Sequence, residues 1–308
     1  MENYSSHPLY GKQNIDSAMN LLWEFYKKNF LSLFLISLVM SLIIQYVSTF
    51  INVKELQSMT DPVLMLNKLK DYIVPIVIIS ILNLLFTTIL QYHIIYKPLN
   101  SENNIFVSAK KSMKYLIPYL ILMVLLAIAG TISIILGIIA LVIGVFFSVL
   151  YITTLYCFIL PVLMVEDPGI GRTISRTITL AHRNFWANIG WVAVFIIIIL
   201  VVSLMLSGII LIPFTGGFIK AILHPDDTST LVDITTNPLF NILSAAVNAL
   251  TIPLMPIFAA ILYFNGKAGE EQGETYSSEN SENGRVRVED LYAKPYSDDH
   301  PDNPDNKG

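Results

Sequence analysis

Tyr115–Val165 reads YLIPYLILMVLLAIAGTISIILGIIALVIGVFFSVLYITTLYCFILPVLMV, 51 residues without one Asp, Glu, Lys or Arg. A bilayer core about 30 Å thick is crossed by roughly 20 apolar residues at 1.5 Å rise each. This stretch is therefore too long for one crossing and suits two. Gly130, Thr131, Ser133 and Gly137 interrupt it, so the fold-back is expected between Gly130 and Gly137. Working outward, Phe30–Ile51 and Ile73–Tyr92 precede it as uncharged apolar runs, and Ala187–Phe214 and Leu239–Phe264 follow. Backbone polar groups must be satisfied within the segment in lipid, so runs of this length are read as helices. The expected fold is all-α: a polytopic membrane protein with six transmembrane helices.

Composition agrees. Of 308 residues, 54% are hydrophobic and 14% charged, against about 25% charged in a typical soluble domain. Mean hydropathy is +0.61. The net charge of −4 is unevenly spread: from Lys267 onward there are eleven acidic and five basic residues, leaving the preceding body slightly basic. Three parts follow: an N-terminal amphipathic segment (1–29), a six-helix body (30–266) and an acidic tail (267–308). The tail has too little apolar surface to fold and is expected to be disordered. Val286, Val288, Leu291 and Tyr292 are its clustered apolar residues, a candidate docking motif for a protein partner within a solubilising tail. One cysteine, Cys157, excludes an internal disulfide and a Cys-based zinc site, and the five histidines lack metal-ligand spacing. No metal or other cofactor is expected.

Lysines and arginines favour the cytoplasmic side. With the N-terminus inside, fifteen of the nineteen fall on inside segments, and Lys54, Lys68, Lys70 and Lys220 fall outside. Both termini are therefore expected in the cytoplasm. Tyr26, Tyr72, Tyr92, Tyr96, Tyr115, Trp186 and Trp191 lie near span ends, as an aromatic belt does. The first apolar run is too long for a signal-peptide core and lacks a cleavage pattern behind it, so it is read as a span.

The segments leading into spans one, three and five look alike. IDSAMNLLWEFYKKNFLSLF (Ile15–Phe34) aligns with ISRTITLAHRNFWANIGW (Ile174–Trp191) through Lys28-Asn29-Phe30 and Arg183-Asn184-Phe185, and FVSAKKSMKYLIPYL (Phe106–Leu120) is a looser middle copy. In the third copy Ile170, Ile174, Ile178, Ala181 and Phe185 share one helical face, away from Arg172, Arg176 and Arg183. Phe106, Ala109, Met113 and Leu116 do the same in the middle copy, away from Lys110, Lys111 and Lys114. Each copy reads as an interfacial amphipathic helix feeding a hairpin of spans. The six cations are candidates for contact with anionic phospholipid headgroups; the plainer reading is that they only set topology.

No ionisable Asp, Glu, Lys or Arg falls within a span, which counts against a proton-coupled pump. Asn83 and Asn248 lie deep enough to hydrogen-bond between helices, as packing contacts or as ligand-binding groups. Gln45, Gln91 and Asn241 lie nearer span ends and are expected to meet water. Ala140, Gly144 and Ser148, spaced by four, suit close helix packing, as do Ser203 and Ser207. Pro253 and Pro256 should break span six.

Motifs for phosphate-binding loops, zinc proteases and serine hydrolases are absent. Nothing supports nucleic-acid binding. Of the Glu166-Asp167 pair, Asp167 is expected to cap the next helix, with Pro168 in its first turn. The stretch LPVLMVEDPGIGRTISRTITLAHRNFWANIGWV (Leu160–Val192) resembles the membrane domain that accompanies some bacterial glycerophosphodiester phosphodiesterases, and related six-span bacterial proteins of unknown function. Pro161, Glu166, Arg172, Ser175, Arg176, Arg183, Asn184, Phe185 and Trp186 carry the likeness. It implies a multi-pass body in the bacterial inner membrane. The enzyme's catalytic barrel needs about 250 residues, far more than follow Gly266, so the activity does not carry over. The expectation is a non-enzymatic, lipid-associated scaffold or partner subunit; the alternative is a transporter or channel for a neutral or apolar solute.

Overall fold

The computed structural model describes residues 4–51, 62–100, 102–139, 141–223 and 233–283. Among them the secondary structure is helical and there is no strand. The helices are α1 (Ile15–Lys28), α2 (Phe30–Ser48), α3 (Pro62–Leu69), α4 (Ile73–Tyr96), α5 (Ile105–Ile139), α6 (Leu141–Val165), α7 (Ile170–Arg183), α8 (Phe185–Leu211), α9 (Thr215–Leu223), α10 (Pro238–Thr251) and α11 (Leu254–Asn283). Among the described residues six candidate spans are long and apolar enough to cross a membrane: Phe30–Ser48, Leu66–Tyr96, Ile105–Ile139, Val142–Val165, Phe185–Leu223 and Pro238–Gln272. The chain is a multi-pass membrane protein.

Each span packs against the next, and the ring closes where α10 meets α2. The compact unit extends from Met1 to Ala268, ending close to the compositional boundary at Lys267. The second unit, Gly269–Gly308, is described as far as Asn283, where helix α11 ends. Helix thus continues past the point at which composition turns acidic. The rest of the expected tail, with Val286, Val288, Leu291 and Tyr292, lies outside the described residues.

The threefold pattern has a clear counterpart. Ile15 and Ile170 open α1 and α7, and Lys28 and Arg183 end them. Asn29 and Asn184 break the chain before Phe30 and Phe185 start the spans. The buried residues also match at one offset: Ala18, Leu22, Phe25 and Tyr26 correspond to Thr173, Thr177, Leu180 and Ala181. The middle copy opens at Ile105 and buries Ser108, Ser112 and Tyr115 in the same phase, but runs into its span without a break. At 35 residues α5 is about 52 Å long. Its first three turns, bearing the lysines, are therefore surplus to a core about 30 Å thick.

The fold-back within Tyr115–Val165 is not where the glycines suggest. Helix continues through Gly130, Thr131, Ser133 and Gly137 to Ile139, and α6 begins at Leu141. Opening the helix at Gly130 would strand backbone groups in hydrocarbon, whereas glycine and threonine inside a spanning helix cost little there. Thr131 gives its hydroxyl proton to the Ala127 carbonyl at 2.9 Å. The glycines serve packing: a Cβ at Gly137 would sit 2.8 Å from the Gly144 carbonyl oxygen. Ser148 donates to the Ser133 carbonyl at 2.9 Å across the same contact. Gly144 and Ser148 thus do what their spacing implies; Ala140 lies outside the described residues. The break in span six falls as expected, between Thr251 at the end of α10 and Leu254 at the start of α11.

The close-packed core lies at the end of the ring that carries α1, α7 and the chain connections after Tyr96 and Val165, here the basic end. There Thr88–Tyr96, Cys157–Met164 and Leu254–Phe264 bury nearly every side chain. Toward the other end the hairpin of α5 and α6 exposes Ile132, Ile135, Leu136, Ile138, Ile139, Val142 and Ile143.

Candidate functional site

Helix ends leave carbonyls without intrahelical partners, and at the basic end buried side chains supply the donors. Tyr96 and Tyr115 both donate to the Met164 carbonyl at the end of α6. Asn103 donates to the Tyr96 carbonyl at 3.2 Å. Asn188 donates to Leu180 and Ala181 at 3.1 and 3.0 Å. Tyr26 donates to Leu250 at 2.9 Å, where the proline break ends α10. The N-terminal segment is drawn in similarly: His7 Nε2 bonds the Ile94 carbonyl at 3.1 Å and its ring lies 4.8 Å from that of Phe264. Burial lowers the His7 pKa to about 4, opposed only in part by that carbonyl, so the imidazole is neutral at pH 7.

The six basic candidates divide. Arg176 Nε donates to both Glu166 oxygens, at 3.0 and 2.9 Å, and Tyr263 donates to Glu166 Oε1 at 3.0 Å. Lys114 pairs with Asp167 at 3.3 Å and lies 4.5 Å from the Tyr115 ring centre. Lys111 donates to Asn103 Oδ1 at 3.2 Å. Lys110, Arg172 and Arg183 are exposed. Lys111, Lys114 and Arg176 therefore have partners within the protein, Lys111 and Lys114 while remaining exposed at the surface.

Asp167 is not the cap of α7. Gly169 holds that position at φ +78°, a left-handed conformation suited to glycine, and Asp167, itself at φ +41°, turns its carboxylate to Lys114. The face of α7 that packs into the bundle also differs from the isoleucine stripe. Thr173, Thr177, Leu180 and Ala181 are buried, whereas Ile178 is 43% exposed and Ile170 and Ile174 are half-buried. At about 100° per residue the isoleucines centre roughly 180° from Arg172, Arg176 and Arg183, with the buried face about 90° from each. This is a helix lying along an interface: bundle on its flank, an apolar stripe on one side, a basic face opposite.

Asn83 and Asn248, expected between helices, are both exposed. Neither lines the two cavities described below. Gln91, expected to meet water, is 1% exposed because α4 continues beyond it to Tyr96. Its Nε2 is buried without a partner and borders a void of about 10 Å3 with Tyr119, Tyr156 and Cys157, room for about one water molecule. Among the described residues no group of His, Cys, Asp and Glu is placed to hold a metal ion.

A larger cavity, about 400 Å3, opens between α1 and the connection after α4. Leu21, Glu24, Phe25, Lys28, Asn29, Lys97 and the prolines Pro8 and Pro98 line it. In the sequence its lysines count only toward topology, since nothing in a linear string brings Lys28 and Lys97 together. The Glu166–Tyr263 contact is hidden for the same reason.

No family model, curated protein or solved structure matches this chain. Functional inference therefore rests on the residues and geometry above.

Proposed function

We propose that this chain is a non-enzymatic protein of the bacterial inner membrane, with both termini in the cytoplasm, acting as a lipid-associated scaffold or as the membrane partner of another protein. The supporting observation is the division of α7 into a bundle face, an apolar stripe and an opposed basic face. That arrangement suits a helix lying at the headgroup level with its arginines toward anionic phospholipid. Lys110 projects from the surplus first turns of α5 in the same basic region. The likeness of Leu160–Val192 to the phosphodiesterase membrane domain is consistent with a body whose setting is phospholipid.

Each cation near an anionic surface contributes about 1 kcal/mol. Lys110 and Arg172 should carry more of the preference than the paired Lys111, Lys114 and Arg176. The test uses the full chain in vesicles, with its tryptophans quenched by brominated phosphatidylglycerol or brominated phosphatidylcholine. Wild-type protein should favour phosphatidylglycerol, and the variant with all six cations changed to glutamine should lose the preference. Unchanged preference with intact topology would refute the headgroup role. The permease alternative draws on the broken sixth span, while Asn83 and Asn248, its candidate ligand-binding groups, are exposed and line neither cavity described above.

A further inference from the structure

We propose that the cavity between α1 and the connection after α4 is a binding site for a phosphate ester that also carries a primary ammonium, the chemistry of a phosphoethanolamine group. It rests on the lipid-associated reading but concerns residues that reading did not use. Four observations support it. First, the volume of about 400 Å3 lies within the range of small-molecule sites, roughly 300–1,000 Å3. Secondly, its lining brings two cations, Lys28 and Lys97, together with one carboxylate, Glu24, and the amide of Asn29. That set matches a phosphate and an ammonium held a few bonds apart.

Thirdly, these charges are uncommitted. Glu24 and Lys28 stand four residues apart on α1, the spacing and order that favour an ion pair. Yet among the described residues neither forms one, nor does Lys97. The corresponding flank of α7 shows the contrast. There Arg176 occupies the position equivalent to Leu21 and pairs with Glu166 at 2.9 Å. On α1 that position is Leu21, which lines the cavity instead. Fourthly, the cavity lies at the ends of two candidate spans, where headgroups are expected. Lys28 stands two residues before Phe30 at the start of the first span, and Lys97 directly follows Tyr96 at the end of α4. Leu21, Phe25, Pro8 and Pro98 supply apolar walls for the carbon atoms next to the ester.

The ester group can belong to a membrane phospholipid or to a soluble metabolite. Native mass spectrometry of the full chain, delipidated in neutral detergent, distinguishes them by titration with phosphatidylethanolamine, phosphatidylglycerol and soluble glycerophosphoethanolamine. Wild-type protein should bind phosphatidylethanolamine in preference to phosphatidylglycerol. Lys28→Gln with Lys97→Gln should weaken it at least tenfold. Glu24→Gln should abolish the preference for the amine while retaining phosphate binding. Saturation by glycerophosphoethanolamine at similar concentration assigns the soluble source; adducts with the phospholipid alone assign the bilayer. The variant with six glutamines described above should keep its phosphatidylethanolamine binding even as its phosphatidylglycerol binding falls, so failure there does not touch this site. Thermal unfolding of each variant controls for folding. Equal binding of all three probes, no binding of any, or unchanged binding by the folded double variant would overturn the proposal.

Discussion

The contact between α5 and α6 makes the sharpest prediction, because two glycines in one helix face different surroundings. A Cβ built on Gly137 lies 2.8 Å from the Gly144 carbonyl oxygen, 2.8 Å from Ser148 Oγ and 2.9 Å from the Gly144 carbonyl carbon. Two of these atoms are backbone, so relief requires the helices to part by about 0.6 Å to reach ordinary contact. Overpacking of this kind costs about 1–3 kcal/mol. Displacing Ser148 adds about 1 kcal/mol for its hydrogen bond to Ser133. Alanine recovers about 1 kcal/mol of helix propensity. Gly137→Ala should therefore destabilise by about 1–3 kcal/mol. Gly130→Ala meets only the Ile152 side chain, at 3.6 Å, an ordinary contact, and should be neutral or stabilising by up to about 1 kcal/mol. Unfolding by sodium dodecyl sulfate in mixed micelles, followed by tryptophan fluorescence, measures both. Equal stability of the two variants would refute the close-packing role, and greater harm from Gly130→Ala would indicate that the turn lies near Gly130 after all.

Other consequences can be checked in the same assay. His7 is neutral when folded, with its pKa lowered to about 4 from 6.5, so the unfolded chain binds the extra proton between those values. Stability should be fully present above pH 6.5 and fall by about 3 kcal/mol through His7 as pH drops toward 4; a flat profile through that window, or a drop undiminished in His7→Phe, would contradict this. Glu166→Gln should cost about 2 kcal/mol by leaving Arg176 half-buried without its anion. A double-mutant cycle with Arg176→Gln should then show losses smaller than additive, and additive losses would mean that the pair is not coupled. Tyr26→Phe removes the donor to the Leu250 carbonyl and should cost about 1–2 kcal/mol. Asn83→Leu and Asn248→Leu should leave stability within about 0.5 kcal/mol, because both positions are exposed.

The spans were legible because hydrocarbon demands length and apolarity, and both are properties of contiguous sequence. The matched copies were legible as well, since Lys28-Asn29-Phe30 and Arg183-Asn184-Phe185 mark corresponding helix breaks. Features that depend on neighbours were not. Gly137 carries the same local signal whether it ends a helix or admits another helix to its backbone. The buried face of α7 uses Thr173 and Thr177, which hydropathy assigns to the outside; Thr173 returns its hydroxyl to the Gly169 carbonyl, whereas the Thr177 hydroxyl is buried without a partner. Gln91 looked terminal only because the apolar run stops at Tyr92, whereas the helix uses His93–Tyr96 as part of its buried end. The cavity beside α1 joins residues from distant parts of the chain and has no linear signature.

The concentration of packing at one end gives the ring a mechanical polarity. Tyrosine and asparagine side chains tie the helices at the basic end, while the far ends of α5 and α6 present apolar surface on several sides. Such an assembly resembles a bouquet bound at its stems: leaning of the free ends disturbs few contacts, while the knot keeps its shape. A change in bilayer thickness, which costs only fractions of a kcal/mol per ångström, is then absorbed by splay at the loose end and leaves the spacing between α1 and α7 unchanged.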